Sequence, residues 1–459
     1  MYCIKKMETI LAKIVESKKK WLFAKKRTFP LNIFKDDVVK TDRSFYEAIS
    51  SDKAVFILEC KKGSPSKGVI RRKFDLDEIA QVYKNYANAI SVLTDEEFFM
   101  GSFANLEIIR NQVEQPILCK DFMIDEYQVY LARYYKADAI LLMLSVLSDD
   151  DYKKLAKVAN KLGMGIVTEV SNEDELQRAI TLKAKVIGIN NRDLRNMSIN
   201  LNTTRILAPK IPKGTIVISE SGIYKNQEVR DLRKFVNGFL IGSSIMGERN
   251  LELAVRKIVY GFNKICGLTT VENAQKAYAA GAVYGGLIFV KESPRNIDFA
   301  MAKKIVSKVK LNFVGVFANA NIKEIVDSSY SLKLNAVQLH GDEDQEYINK
   351  RKSKLHRNCQ IWKAYGVEKS VPEFFENVDY HLLDTKIAGK SGGTGKSFDW
   401  ELIKDVKNII LSGGLNSNNI GKAIELKCSA YDLNSGVESK PGEKDEQKLK
   451  RVFDKISNY

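Results

Sequence analysis

Residues 54–71 read AVFILECKKGSPSKGVIR. The apolar run AVFIL delivers Glu59, Lys61 and Lys62 to its end, and a Gly/Ser/Pro turn follows at once. A short apolar run stopped by turn residues predicts a strand buried on both faces. Barrels and doubly wound sheets carry their chemistry where such strands end. Alternation along the strand sets Glu59 and Lys61 on one side and turns Cys60 away. A carboxylate and an ammonium so placed can tune each other's protonation, but they can equally be a structural ion pair at a strand terminus. The rest of the chain decides between these readings, because the same design recurs along it.

From Ala54 onward, apolar runs alternate with amphipathic helical stretches. The runs are AVFILEC, AISVLTD, QPILCKDF, ADAILLMLSV, MGIVTEV, VIGINNRD, TIVISESG and GFLIGSS. They start roughly 22–35 residues apart, the length of one βα unit. Eight such units predict a closed (β/α)8 barrel, whereas a flavodoxin-like sheet needs fewer. Before them, ILAKIVESKKKWLF carries Ile10, Leu11, Ile14, Val15, Leu22 and Phe23 near helical spacing, and DRSFYEAI repeats the pattern after Pro30. This N-terminal helical extension either caps the core or forms a lid near the site.

After the helical stretch NLELAVRKIVYGF the pattern restarts with NKICGL, YGGLIF, NFVGVF, AVQLHG, QIWKAY, YHLLDT, NIILSGG and AYDLNSG. These runs start roughly 20–28 residues apart, so eight more βα units are expected. The predicted class is α/β: two tandem (β/α)8 barrels, the first with an N-terminal helical extension. The boundary is placed near Tyr260–Phe262, giving domains of 1–258 and 259–459.

The strand ends of the first half carry an unusual polar inventory. Strand one ends in Glu59 and Lys61, strand three in Lys120–Asp121 and strand five in Glu169. Strand six ends in Asn190–Asn191–Arg192, and strand seven in Glu220–Ser221–Gly222. A buried parallel strand has no packing need for such residues at its C-terminal end, and lysines facing carboxylates can serve as general acid and base. GFLIGSS offers backbone N–H groups at Gly242–Ser243–Ser244 before a short helix, with SESGI supplying the other half of a barrel phosphate site.

ILECKKGSPSKG, SVLTDEEFFMGSF, PILCKDF, TEVSN, GINNRDL, VISESGI and GFLIGSS together resemble indole-3-glycerol-phosphate synthase over about residues 1–255. The resemblance implies that Lys120 is the general acid of ring closure and Glu169 the general base. It implies that Lys61 binds the substrate carboxylate and assists the acid steps. Glu59 and Asn190 would position the ribulosyl chain, with Arg192, Glu220 and Ser221 nearby. Ser64, Gly222, Gly242 and Ser243 would hold substrate. The implied substrate is 1-(2-carboxyphenylamino)-1-deoxyribulose 5-phosphate, closed to the indole with loss of carbon dioxide and water.

In the second half, Cys266 stands at a strand end beside Gly267, and Asp384 ends strand six. A lone cysteine after an apolar run is ordinarily buried and inert, yet a thiolate facing a carboxylic acid across a barrel mouth forms a base–acid pair. The loop AGKSGGTGKS, residues 388–397, invites a P-loop reading, but counting back from Gly395 lands on Lys390 where that motif needs glycine. Its glycines still suit an anion. LSGGLN and LNSGVE follow strands seven and eight, again the barrel phosphate position.

KICGLT, GLIFVKESPR, VQLHGDE, LLDTK, GGTGKSFDW, LSGGLN and NSGVESKPGEKD resemble phosphoribosylanthranilate isomerase over about residues 263–459. This implies an Amadori rearrangement of N-(5-phosphoribosyl)anthranilate. Cys266 would be the base removing the C2 proton and Asp384 the acid opening the furanose. Arg295 would contact the anthranilate portion, and Gly413, Gly414, Ser435 and Gly436 would hold phosphate. His340 lies in VQLHG, where a role in the site and a structural role are equally open. The glycine loop is more basic than the family pattern, with Lys390 and Lys396. The isomerase product is the synthase substrate, so the two resemblances explain each other as a fused bifunctional enzyme. The alternative keeps the fold with only one working barrel.

Composition narrows the other classes. Net charge is +16, from 73 Lys+Arg against 57 Asp+Glu, which admits nucleic acid, an anionic membrane surface or anionic small substrates. The lysines are scattered; SKKKW near residue 20 and KSKLHRN near residue 354 are the densest clusters, each read as a solvated helix face or loop. Scattered lysines speak against nucleic acid and membrane, and the anionic substrates expected are the phosphorylated anthranilate–sugars that the two resemblances imply. Cys3, Cys60, Cys119, Cys266, Cys359 and Cys428 form no CxxC pair, and three dispersed histidines complete no zinc spacing. No metal or organic cofactor, no disulfide, a cytoplasmic location and a monomer are the expectations.

Overall fold

The computed structural model describes residues 9–352, 354–387, 390–391 and 397–458. The chain divides into two compact units, one reaching Val255 and the other spanning Arg256–Asn458.

The first unit is a closed ring of eight parallel strands. They are β1 Val55–Cys60, β2 Ala89–Leu93, β3 Ile117–Lys120, β4 Ala139–Met143, β5 Gly165–Val170, β6 Val186–Asn190, β7 Ile216–Glu220 and β8 Gly238–Ile241. β1 closes the ring by pairing with both β2 and β8. Ile57, Leu118, Leu141, Val167, Ile218 and Leu240 belong to one buried cluster with Ile14 of the N-terminal extension. Fully burying one such side chain contributes roughly 1.5–3 kcal/mol, so the ring is held by its interior as well as its ladder. A small hairpin, Gly63–Ser64 with Gly68–Val69, follows β1 and was not foreseen.

The extension opens with α1, Ile10–Thr28. Thr9 caps its N-terminus by accepting from the Ala12 N–H, and Lys25, Lys26 and Arg27 in its last turn suit the C-terminal dipole. Its buried stripe is Ile14, Lys18 and Leu22, at i, i+4 and i+8. The reading of SKKKW as a solvated face is thus corrected at Lys18. That ammonium lies 2.8 Å from Asp95 and 2.8 Å from Asp121, with both carboxylates buried. Two buried anions give a lysine a partner that hydrophobic spacing does not reveal, whereas Phe23, counted as apolar-face, is exposed.

The second unit repeats the ring with β9 Asn263–Ile265, β10 Tyr284–Ile288, β11 Asn312–Phe317, β12 Ala336–Leu339, β13 Gln360–Val367, β14 Tyr380–Ile387, β15 Ile409–Leu411 and β16 Ala430–Leu433. β9 pairs with β10 and β16, and β13 pairs with β14, closing the barrel. Among the described residues, two of the expected βα units lack a regular helix. No helix separates β13 from β14, and the described residues between β14 and β15 form a two-residue strand, Lys390–Ser391, paired antiparallel with the end of β14, and a 3-10 turn, Trp400–Leu402. Instead Val371, Phe374, Phe375 and Val378 pack on the core, and Phe374 stacks on His381 at 4.2 Å. Pro372 breaks the helical pattern there, and aromatic area replaces the missing helix. Two tandem barrels with an N-terminal helical extension are the observed fold.

Candidate active sites

In the first barrel, Glu59, Lys120, Glu169, Asn190 and Glu220 all project from the C-terminal ends of strands, with Lys61 just beyond β1. Lys120 Nζ lies 3.4 Å from Glu169 Oε2 and 3.4 Å from Glu220 Oε2. Asn190 Nδ2 donates to Glu169 Oε1 at 3.0 Å, fixing that carboxylate's rotation. Lys61 Nζ lies 3.2 Å from Glu59 Oε1 and over the Phe99 ring. Glu59, Glu169 and Glu220 are each almost wholly buried. If all three carboxylates were ionised, they would exceed the two ammoniums by one charge. Burial pushes the Glu220 carboxyl up to about 8, reinforced by Glu169 and Glu59 and opposed by Lys120. Burial would depress Lys120, but Glu220, Glu169 and Glu59 outweigh it and hold its ammonium raised.

One cleft, lined among others by Glu59, Lys61, Ser64, Lys120, Glu169, Asn190, Arg192, Ser221 and Ser243, opens over this cluster. A neighbouring depression joins Glu220, Gly222, Gly242 and Ser244 to the same lysines. Ser221 and Gly222 both take positive φ, 64° and 86°, which turns the β7 end away from the ladder and toward that depression. A side chain at Gly242 would collide with Glu59 Oε1, so this glycine makes room for the carboxylate. Arg192 is held by its backbone N–H to Asn190 Oδ1 at 3.0 Å and by its guanidinium to the Met197 carbonyl at 2.9 Å. The buried hydroxyls of Ser64 and Ser244 have no hydrogen-bond partner among the described residues.

In the second barrel, Cys266 follows β9 and is buried. Burial raises its thiol, Lys264 opposing. Lys264, two residues earlier, is fully buried and bonded to Asp432 Oδ2 at 2.6 Å and Gln338 Oε1 at 2.9 Å. Asp384 on β14 accepts from the Thr385 N–H at 2.8 Å and faces His340 Nε2 at 3.6 Å. Burial pushes the Asp384 carboxyl up to about 6, against the Thr385 bond. His340 is lowered to about 4 by burial and by Lys264 and Lys363, so its imidazole is neutral at pH 7.

Gly413 sits against Thr385 and 3.0 Å, as a virtual Cβ, from Asp384 Oδ1, bringing the β15 loop onto the acid. Gly413 and Gly414 both take positive φ. Ser435 and Gly436 form a 3-10 turn after β16, and Gly436 abuts the Leu415 carbonyl, so the two loops meet. Arg295 is forked onto Glu438, Nε at 3.0 Å and a terminal amino group at 2.7 Å, and its Cδ packs on Gly267. Lys390 and Lys396 lie outside the residues whose side chains are described.

Residues 11–258 match the family model "Indole-3-glycerol phosphate synthase", and residues 263–455 match "N-(5'phosphoribosyl)anthranilate (PRA) isomerase". "Tryptophan biosynthesis protein TrpCF" of Vibrio cholerae is 56% identical over 99% of this chain and 97% of its own length. The protein of that name from Vibrio parahaemolyticus is 57% identical over 99% of this chain and 95% of its own. The chain belongs to both families. A solved phosphoribosyl anthranilate isomerase from Thermotoga maritima is 33% identical, covering 43% of this chain and 99% of its own, with a TM-score of 0.38.

The chain is thus a bifunctional enzyme of tryptophan biosynthesis acting on small phosphorylated substrates, with a lyase and an isomerase barrel. Among the described residues, no helix is long and apolar enough to cross a membrane. In the synthase barrel, the acidic and basic positions named from strand ends meet at one mouth; Asp121 lines it too, but its carboxylate serves Lys18. Asn191 likewise turns inward, donating to Ser219 and the Glu220 carbonyl. Gly188 was missed: a Cβ there would strike Glu220 Oε1. In the isomerase barrel, Lys264, Gln338, Asp432, Glu438 and Lys444 were missed, although KICG with its lysine at i−2 carried the signal.

Proposed function

We propose that residues 1–258 close 1-(2-carboxyphenylamino)-1-deoxyribulose 5-phosphate to indole-3-glycerol phosphate, and that residues 259–459 supply that substrate by isomerising N-(5-phosphoribosyl)anthranilate. In the synthase barrel, Lys120 protonates the C2 carbonyl oxygen as the aromatic carbon attacks. Carbon dioxide then leaves, Lys61 delivers a proton to the hydroxyl that departs as water, and Glu169 takes the proton lost from the adjacent carbon. The observation that carries this reading is Lys120 bridging Glu169 and Glu220 at 3.4 Å each, an ammonium kept charged beside an oriented carboxylate. Lys61 and Glu59 hold the carboxylate and the ribulosyl chain. Arg192, Ser64, Ser221, Gly222, Gly242 and Ser243 complete the pocket, with phosphate on the loops after β7 and β8.

In the isomerase barrel, Asp384 donates its proton to the furanose oxygen, opening the ring to an imine. Cys266 removes the C2 proton as thiolate, and the enolamine relaxes to the ketone. Asp384's raised affinity for its proton supports the acid role. Phosphate sits on Gly413, Gly414, Ser435 and Gly436, and Arg295 meets the anthranilate ring. The enzyme works as a cytoplasmic monomer without nucleic acid or membrane. In support, each mouth is built from strands of its own barrel, and Lys18, Lys264, Lys363 and Lys444 are spent inside the protein rather than on a basic stripe.

Separate assays test this. Lys120→Ala should reduce indole-glycerol phosphate formation at least about 10³-fold and spare the consumption of phosphoribosylanthranilate, with Cys266→Ala doing the reverse. If one variant removes both activities, or the parent chain lacks one, the two-site reading fails.

A further inference from the structure

The second barrel contains a charge that the proposed chemistry leaves unused. Lys264 is wholly buried in the barrel interior, on β9 two residues before Cys266, so both side chains point the same way. Its ammonium is shared between Asp432 Oδ2 at 2.6 Å and Gln338 Oε1 at 2.9 Å, and its charge and that of the Cys266 thiolate act on each other. Gly286, on the adjacent strand, makes room for both: a Cβ there would sit 2.7 Å from Cys266 Sγ and 2.8 Å from Lys264 Cε. A lysine needed only to plug the barrel would have no use for a glycine that admits sulfur.

The same ammonium reaches the acid. Because Gln338 Oε1 accepts from Lys264, its Nε2 must donate to His340 Nδ1, 3.0 Å away. That bond places the imidazole proton on Nε2, which faces Asp384 Oδ2 at 3.6 Å. Base and acid therefore hang on one polar chain with Lys264 at its root.

We propose that Lys264 is a positioning residue of the isomerase barrel, which holds the Cys266 sulfur and stabilises its thiolate while fixing, through Gln338, the tautomer of the histidine that faces Asp384. This rests on Cys266 being the isomerase base. The charged groups that act on the sulfur are Lys264, Asp432 and Lys444, and Lys444 is itself bonded to Glu438 at 2.7 Å. Lys264 favours the thiolate and Asp432 opposes it, so removing each should act in opposite directions.

The test is alkylation of Cys266 by iodoacetamide in the full chain, followed against pH by mass spectrometry of its peptide. Lys264→Met should move the half-reaction pH up by about one unit, and Asp432→Asn should move it down. Isomerase kcat should fall about 10–100-fold in Lys264→Met with KM within about threefold. Shifts of the same sign in both variants, or an unmoved profile in Lys264→Met, overturn the proposal. If Lys264→Met does not fold, Lys264→Gln takes its place, with the same upward shift expected and an unmoved or downward one refuting the role. Full isomerase activity in Cys266→Ser would instead sink the base assignment, while alkylation would still measure the Lys264–Cys266 coupling.

Discussion

The two barrels place their charges at different depths. In the synthase barrel, lysines and carboxylates meet at the mouth, where a cleft opens over them and substrate can enter among them. In the isomerase barrel, the charged pair Lys264–Asp432 lies in the interior, paired across β9 and β16, with Lys264 two residues before Cys266, the proposed base. Parallel strands of one fold thus support two electrostatic solutions. On the mechanism proposed above, a mouth cluster acts on substrate by contact, whereas a buried pair acts through the group standing above it. The proposed reactions account for the difference. Ring closure moves protons among several oxygens, so several titratable groups must reach the substrate. The Amadori step needs one proton removed and one delivered, so one thiol and one carboxyl suffice if their protonation is set from behind.

The strongest way to break this comparison is Asp384→Asn. The acid should be indispensable, with isomerase kcat falling about 10²–10⁴-fold and synthase activity unchanged. The same variant should be no less stable at pH 8. The folded carboxyl holds its proton up to about 6 against an ordinary value of 3.8, so stability from this group declines as pH rises between those values. Asparagine removes that decline, a gain of about 3 kcal/mol at pH 8, which urea unfolding at pH 4 and pH 8 would measure. If the variant is equally active, or its pH dependence matches the parent's, the carboxyl is not the buried acid described.

Gly188→Ala sharpens the mouth side of the comparison. The new methyl would force Glu220 off its position beside Lys120 without touching a charged atom of its own. A displacement of about 1 Å should lower synthase kcat roughly 10²-fold and leave the isomerase intact. Parent-like synthase kinetics would mean that Glu220's placement is irrelevant.

Stability rather than activity separates burial from mere pairing within α1. Lys18→Met leaves Asp95 and Asp121 buried without their cation, which should cost about 3–5 kcal/mol and speed hydrogen exchange at residues 95–103. Lys26, eight residues on, pairs with Asp125 at the surface, and Lys26→Ala should cost less than about 1 kcal/mol. Equal costs for the two would show that Lys18 is not the anchor of the extension.

Both rings of strands were legible because a fully buried parallel strand must be apolar along its length and must end in a turn, a pattern that local sequence carries whole. The polar strand ends were legible for the same reason: Glu59, Lys120, Glu169 and Asp384 have no packing role where they stand. The helix after β13 was over-read because spacing between strands says a connection exists but not what covers it; Phe374 and Phe375 do so through contacts with Tyr365 and His381. Lys18 looked solvated because its partners come from loops 77 and 103 positions away in the chain. By itself the sequence determined two closed parallel barrels, the order of their elements and the residue types at their mouths, since these depend on period and on residues a few positions apart. Only the tertiary structure decided which charges are spent on holding the protein together and which face substrate. Asp121 and Lys120 are adjacent in sequence, yet one binds Lys18 and the other bridges Glu169 and Glu220. A charge's role is set by what lies within about 4 Å of it, and closure of the barrel is what brings those neighbours together.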